Sequence, residues 1–368
     1  VIDAGERRAW GWVAHLRAGG TTPWAAWSGA ADPAGWALPG AQQLELLRRL
    51  NAAGRPTDLL ASRVLEASAP GRGRPDLELV GAAEVHRFGP PPVDPGELPA
   101  DELIRVATSV LADDVVAAGV PERRVEGSRR PWRTRYRLVG DPWLADPVRE
   151  ALTARGRPPG GRGATVLVLG ADLGQMLVDT WTARSFSDGA PGWDEWLGSF
   201  VARRQLPPRI DLVRAARHWA GGIGRGRVRI VLDPAALPRL VGVRRGALPS
   251  PPVLSADATE LARRTGAVLG LLAVPDRRTA LLREGLLPRL AADAGPRLAV
   301  PARREEWVRR RAERMRETLV ADGYPVVGDP DVLLPRPLAG VEGPREDQVL
   351  ELALRLLLGG GDGNGRAG

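Results

Sequence analysis

The chain has 368 residues, a formal net charge of +8, 52 basic residues that are all arginine, and no cysteine. This composition excludes disulfides, thiolate chemistry, lysine Schiff bases, a lysine general base and a phosphate-loop lysine. The length suits about two domains and no apolar run approaches the roughly 20 residues of a membrane span; the start lacks a basic-then-apolar leader pattern, so the cytoplasm is the expected location.

Taken from its beginning, the chain first predicts a helix over 6–17 carrying Trp10, Val13 and Leu16. Five of the twelve tryptophans fall early, at Trp10, Trp12, Trp24, Trp27 and Trp36. Packed together they form the core of a small helical subdomain; exposed, they would stack on sugar rings. Residues 41–52 repeat leucine at helical spacing, and Thr57 caps a second helix carrying Leu60, Val64 and Leu65. This pair has the outline of a helix-turn-helix followed by Arg72 and Arg74, which makes DNA binding a weaker alternative function. The stretch 70–95 is a Pro/Gly-rich linker containing His86, and 99–118 is a helix with Leu103, Ala107, Val110 and Leu111 inward. The basic run from Arg123 to Arg137 is either an anion clamp or a solvated connector.

The centre of the chain carries the fold. Two short apolar runs, Tyr136–Gly140 and Thr165–Leu169, are each followed by a turn and a helical pattern. A strand that is apolar along its whole length is covered on both faces, and repeated strand–turn–helix order predicts a parallel sheet. The device recurs where the run 228–232 meets Asp233-Pro234 and where 324–327 meets Gly328-Asp329-Pro330. Ligands of open α/β sheets sit beyond the carboxyl ends of the strands. The candidate ligand-binding residues are therefore Gly140, Asp141, Trp143, Gly170, Asp172 and Asp233. Each aspartate has a second reading as a helix cap, because its carboxylate accepts the unpaired amides of a first helical turn.

The remainder predicts helices over 193–204, 212–219, 256–272, 279–290, 303–319 and 346–358, and a glycine-rich tail. Glu305/Arg309 and Glu306/Arg310 are favourable pairs four residues apart, so the charge on 303–319 is a solvated helix face. The histidines, His15, His86 and His218, lack metal-ligand spacing, and no metal or cofactor is expected. No Gly-x-Ser-x-Gly elbow or intact phosphate loop is present, and no catalytic residue is assigned.

From about 135 to 357 the chain resembles sulfotransferase-like proteins of actinobacterial type, which have a nucleotide-kinase-like α/β fold. The family's first strand ends in Gly-x-Pro-Lys-Thr-Gly-Thr-Thr; here Gly140 and Pro142 match, while Trp143, Ala145 and Asp146 replace the lysine, the second glycine and the following threonine. A later family strand reads Val-Thr-Ala-Arg-Asp-Leu, and Asp172, Leu173 and Trp181 fit it. Ala171 and Asp179 stand where the family's arginine and serine would hold the 3′-phosphate. The resemblance implies the fold and argues against the family's donor, phosphoadenosine phosphosulfate.

The expected architecture is an α/β parallel sheet flanked by helices, of P-loop and sulfotransferase-like type, with a helical N-terminal subdomain. The expected divisions are 1–95 for that subdomain and linker, 96–358 for the α/β domain and 359–368 for the tail. The expected function is a degenerate, non-catalytic relative binding a protein partner or a glycan-related ligand. The alternative is a divergent transferase acting on a cell-surface glycan.

Overall fold

The computed structural model describes residues 3–35, 37–67, 76–82, 89–120, 135–161, 163–337 and 339–360. Trp36, Arg72, Arg74, His86, the basic run from Arg123 to Arg133 and the tail from 361 lie outside the described residues. In chain order the main elements are α1 (Ala4–Arg17), α2 (Ala41–Ala53), α3 (Asp58–Glu66), α4 (Ala100–Ala118), β1 (Tyr136–Gly140), α5 (Pro142–Ala154), β2 (Thr165–Leu169) and α6 (Leu173–Ser185). There follow α7 (Trp193–Arg203), α8 (Leu212–Ile223), β3 (Val228–Val231), α9 (Leu237–Leu240), α10 (Ala256–Leu272), α11 (Pro275–Ala280), α12 (Leu287–Leu290), α13 (Ala302–Ala321), β4 (Val326–Val327) and α14 (Glu346–Gly360).

The chain forms two compact units, each discontinuous in sequence. The first comprises Val1–Val120, Glu260–Asp293 and Pro344–Gly368; the second comprises Pro121–Thr259 and Ala294–Gly343. In the first unit α14 packs along α4, and α2 lies against α1, α3 and α4. Trp10, Trp12 and Trp24 are buried, with the rings of Trp12 and Trp24 5.4 Å apart. Arg8 stacks 3.9 Å over the Trp24 ring and donates to the carbonyls of Trp24 and Trp27, so one guanidinium closes the turn between them. Glu45 is buried and is matched by Arg48 at 2.7 Å and Arg49 at 2.9 Å, which satisfies a charge that burial alone would penalise.

The second unit is built on a parallel sheet in the order β1-β2-β3-β4, with every pairing parallel. Alternation along the strands feeds two cores. Tyr136, Leu138, Leu167, Leu169 and Val231 face Ala145, Val148 and Leu152 of α5 on one side. Val166, Val168, Val228 and Ile230 face α6, α7, α8 and α13 on the other. The sheet is therefore flanked by helices on both faces, which is what its unbroken Val/Leu runs predict. The crossovers from β1 to β2 and from β2 to β3 step the same way across the sheet but pack on opposite faces. They are thus of opposite hand, a departure from the usual right-handed rule. The strand order does not reverse, so these four strands contain no switch-point crevice of the doubly wound kind. Among the described residues no helix is long and apolar enough to cross a membrane.

Candidate functional site

Gly140 ends β1 with φ of 104°, and a Cβ placed there would lie 2.1 Å from the carbonyl oxygen of Leu169. Only glycine permits that approach, which lets the Asp141 amide donate to the same oxygen at 3.0 Å and turns the chain into α5. Asp141 is 1% exposed, and its Oδ1 accepts from the amides of Trp143 at 2.9 Å and Leu144 at 3.4 Å. Pro142 takes the first helical position, where no amide is needed. Trp143 turns inward: its Nε1 donates to the Pro252 carbonyl at 3.1 Å and its ring lies 5.6 Å from Phe186.

A second carboxyl reaches this helix start from α6. Asp179 shares a hydrogen bond with Asp141 and accepts from Gln175 Nε2 at 2.8 Å. Burial pushes Asp141 well above the usual carboxylate range, and the charge of Asp179 and the shared hydrogen bond push it further. Burial also raises Asp179, to about 6, against the opposing effects of Gln175, the bond from Asp141 and the charge of Arg297. Both carboxyls of the pair therefore hold a proton to higher pH than an ordinary aspartate.

Gly170 ends β2 with its amide on the Val231 carbonyl at 3.0 Å, beneath the side chains of Leu212 and Leu232. Asp172 caps α6 through the Gln175 amide at 3.1 Å and accepts the Arg336 amide at 2.6 Å. Burial raises its carboxyl, and those backbone bonds oppose the rise. Asp233 is exposed and accepts the Ala235 amide at 2.9 Å, capping the short turn Pro234–Ala236. The six candidate residues thus sit at three strand ends. Gly140 and Asp172 line cavities, but different ones.

The cavity at Gly140 holds about 380 Å³. Val139 and Gly140 form its floor at the carboxyl end of β1, and Arg149, Arg209, Arg214, His218 and Trp219 contribute side chains. Asp146 organises two of the arginines: Arg209 grips it in a fork at 2.7 and 2.8 Å, and Arg149 meets it at 3.0 Å. Arg149 also donates to the Leu138 carbonyl at 3.3 Å, which fixes its head beside β1. Three guanidiniums against one carboxylate leave the cavity electropositive. The Trp219 ring forms an aromatic wall, with Arg137 5.1 Å above it. Such a pocket can hold an anion through guanidinium forks and a flat ring through the indole.

The sequence reading does not single out Arg149, Arg209, Arg214 or Trp219. One signal was available: in α8, Arg214, Arg217 and His218 recur at helical spacing opposite the buried Leu212 and Ala216. Among the described residues no group of histidine, aspartate or glutamate side chains has the arrangement to hold a metal ion. Neither a family model, nor a curated protein, nor a solved structure matches the chain.

Proposed function

We propose that the second unit is a sulfotransferase-like module that binds a ring-bearing anion, an acidic sugar of glycan origin being the favoured class, and does not transfer a group from the family's donor. The cavity at the end of β1 carries this reading, because it sets guanidiniums beside an aromatic wall at a strand's carboxyl end. The loss of the donor is supported at the next turn. The α5 amides that would hold a phosphosulfate are occupied by Asp141, and Asp179 adds a second carboxyl there. A phosphate-binding helix start presents free amides and no acid. Calorimetric titration of the full chain tests the reading. A glucuronic-acid disaccharide binds saturably and His218→Gln weakens it about fivefold, the worth of one hydrogen bond. Phosphoadenosine phosphosulfate gives no sulfate transfer. Donor binding together with transfer overturns the proposal.

One observation favours the competing transferase reading. A carboxyl raised well above the ordinary range by burial and by a neighbouring carboxyl, as Asp141 is beside Asp179, has the character of a general acid. Glycosyl or sulfate transfer that disappears in Asp179→Asn would select that reading instead.

A further inference from the structure

A second cavity of the same unit, about 750 Å³, lies between the end of α7, the start of α8 and the middle of α13. Arg203, Arg204, Arg214, Arg217, Arg311 and Arg314 line it, and Asp211 is its one acidic lining residue. The carboxylate of Asp211 is already engaged as the α8 cap, accepting the Arg214 amide at 3.0 Å. Arg217 is balanced by Asp322, at 2.8 and 3.2 Å. The partners of the next two are neutral: Arg311 donates to the Arg204 carbonyl, and Arg314 donates to the Arg310 carbonyl at 3.2 Å. Five guanidiniums therefore converge with little opposing charge. Like charges gathered in one cavity repel, so this cluster costs stability when empty. Burial and the neighbouring Arg314 hold the Arg311 guanidinium below its ordinary range, with Arg204 adding to the effect and Asp211 opposing it. Arg204 is also the one non-glycine residue with positive φ, 54°, among the described residues.

We infer that this cavity binds a compact polyanion carrying two or more phosphate or sulfate groups. A single anion neutralises too little of the cluster, whereas a guanidinium array matches several tetrahedral oxyanions at once. The volume lies within the range of small-molecule sites. A nucleic-acid duplex fits poorly, because the positive patch does not continue around α13, whose opposite side interleaves Glu306 and Glu313 with Arg309. The site is distinct from the cavity at β1, although Arg214 borders both.

The test is calorimetric titration of the full chain with tripolyphosphate and, separately, with a trisulfated heparin disaccharide, at about 0.15 M salt so that diffuse attraction is screened. At least one binds saturably, and whichever is tighter assigns the ligand to the phosphate or the sulfate class. Arg203→Gln/Arg314→Gln, at two exposed positions with no carboxylate partner, weakens it at least tenfold. Arg244→Gln/Arg245→Gln, with the same loss of charge outside the cavity, and His218→Gln, in the other cavity, leave it within about twofold. Arg311→Gln repeats the loss independently. The inference fails if neither probe saturates, if the cavity variants bind like the parent, or if either control loses as much.

Discussion

Two carboxyls meet where α5 begins, and their titration is tied to folding. Asp141 and Asp179 both hold their protons to higher pH in the folded chain than the ordinary value of 3.8. Between about pH 4 and the folded values the native state therefore carries a proton that the unfolded chain has released. Stability from this pair is greatest below pH 4 and declines as pH rises through 6. Asp179→Asn removes one of the titrating groups and the like charge beside Asp141. Its denaturation midpoint, measured in urea at pH 5 and pH 7.5, is expected to fall less than the parent's over that interval. An equal or larger fall contradicts the shared-proton description. Arg204 offers a second residue-scale test. A left-handed conformation costs an L-residue about 1–2 kcal/mol, so Arg204→Gly should be more stable than Arg204→Ala by about 1 kcal/mol, although glycine is the more flexible when unfolded. If the alanine variant is the more stable by the same assay, Arg204 is not strained.

Within the elements, the turn from β1 to α5 is the least tolerant point. Gly140→Ala forces a Cβ against the Leu169 carbonyl at a φ that alanine avoids, and a loss of at least about 3 kcal/mol is expected. Circular dichroism melting of that variant checks it; a melting temperature unchanged from the parent would show that the turn relaxes. Trp181→Ala empties the middle of the α6 face, where the indole also donates to the Pro191 carbonyl at 3.0 Å, and is expected to cost about 3–5 kcal/mol. The strands were legible in the sequence because burial on two faces leaves an unbroken apolar run, as in Thr165–Leu169. The helix starts were legible too, since Asp141-Pro142 announces a cap followed by a first-turn proline. What each cap touches beyond its own helix was not. The partner of Asp141 lies on α6, and Asp172 takes an amide 164 residues away at Arg336. Likewise the leucine spacing of α4 and α14 marks two amphipathic helices but not that they pack on each other. The Arg/His stripe on α8 is readable as polar, and only the register of α8 against β1 turns it into a cavity wall.

Across the whole molecule, the excess of positive charge is distributed unevenly. On α13 Arg309 and Arg310 are matched by Glu306 and Glu313, whereas Arg311 and Arg314 are not, and in the first unit Arg264 is tied to Glu260, Asp101 and Glu346. The unmatched guanidiniums described above gather around α8. Anion binding there should raise the unfolding free energy by about 2.7 kcal/mol at a ligand concentration one hundred times the Kd, and the gain should shrink as salt rises. The chain has three histidines, and His218 stands in the β1 cavity while His15 lies in the first unit. Ring resonances of the histidines therefore report on the proposed site directly. Proton–nitrogen spectra of the full chain, recorded during titration with a glucuronic-acid disaccharide, should show the His218 ring signals moving to saturation while those of His15 stay in place. If the His218 signals do not move, or if those of His15 move equally, the end of β1 is not the site that binds the ligand.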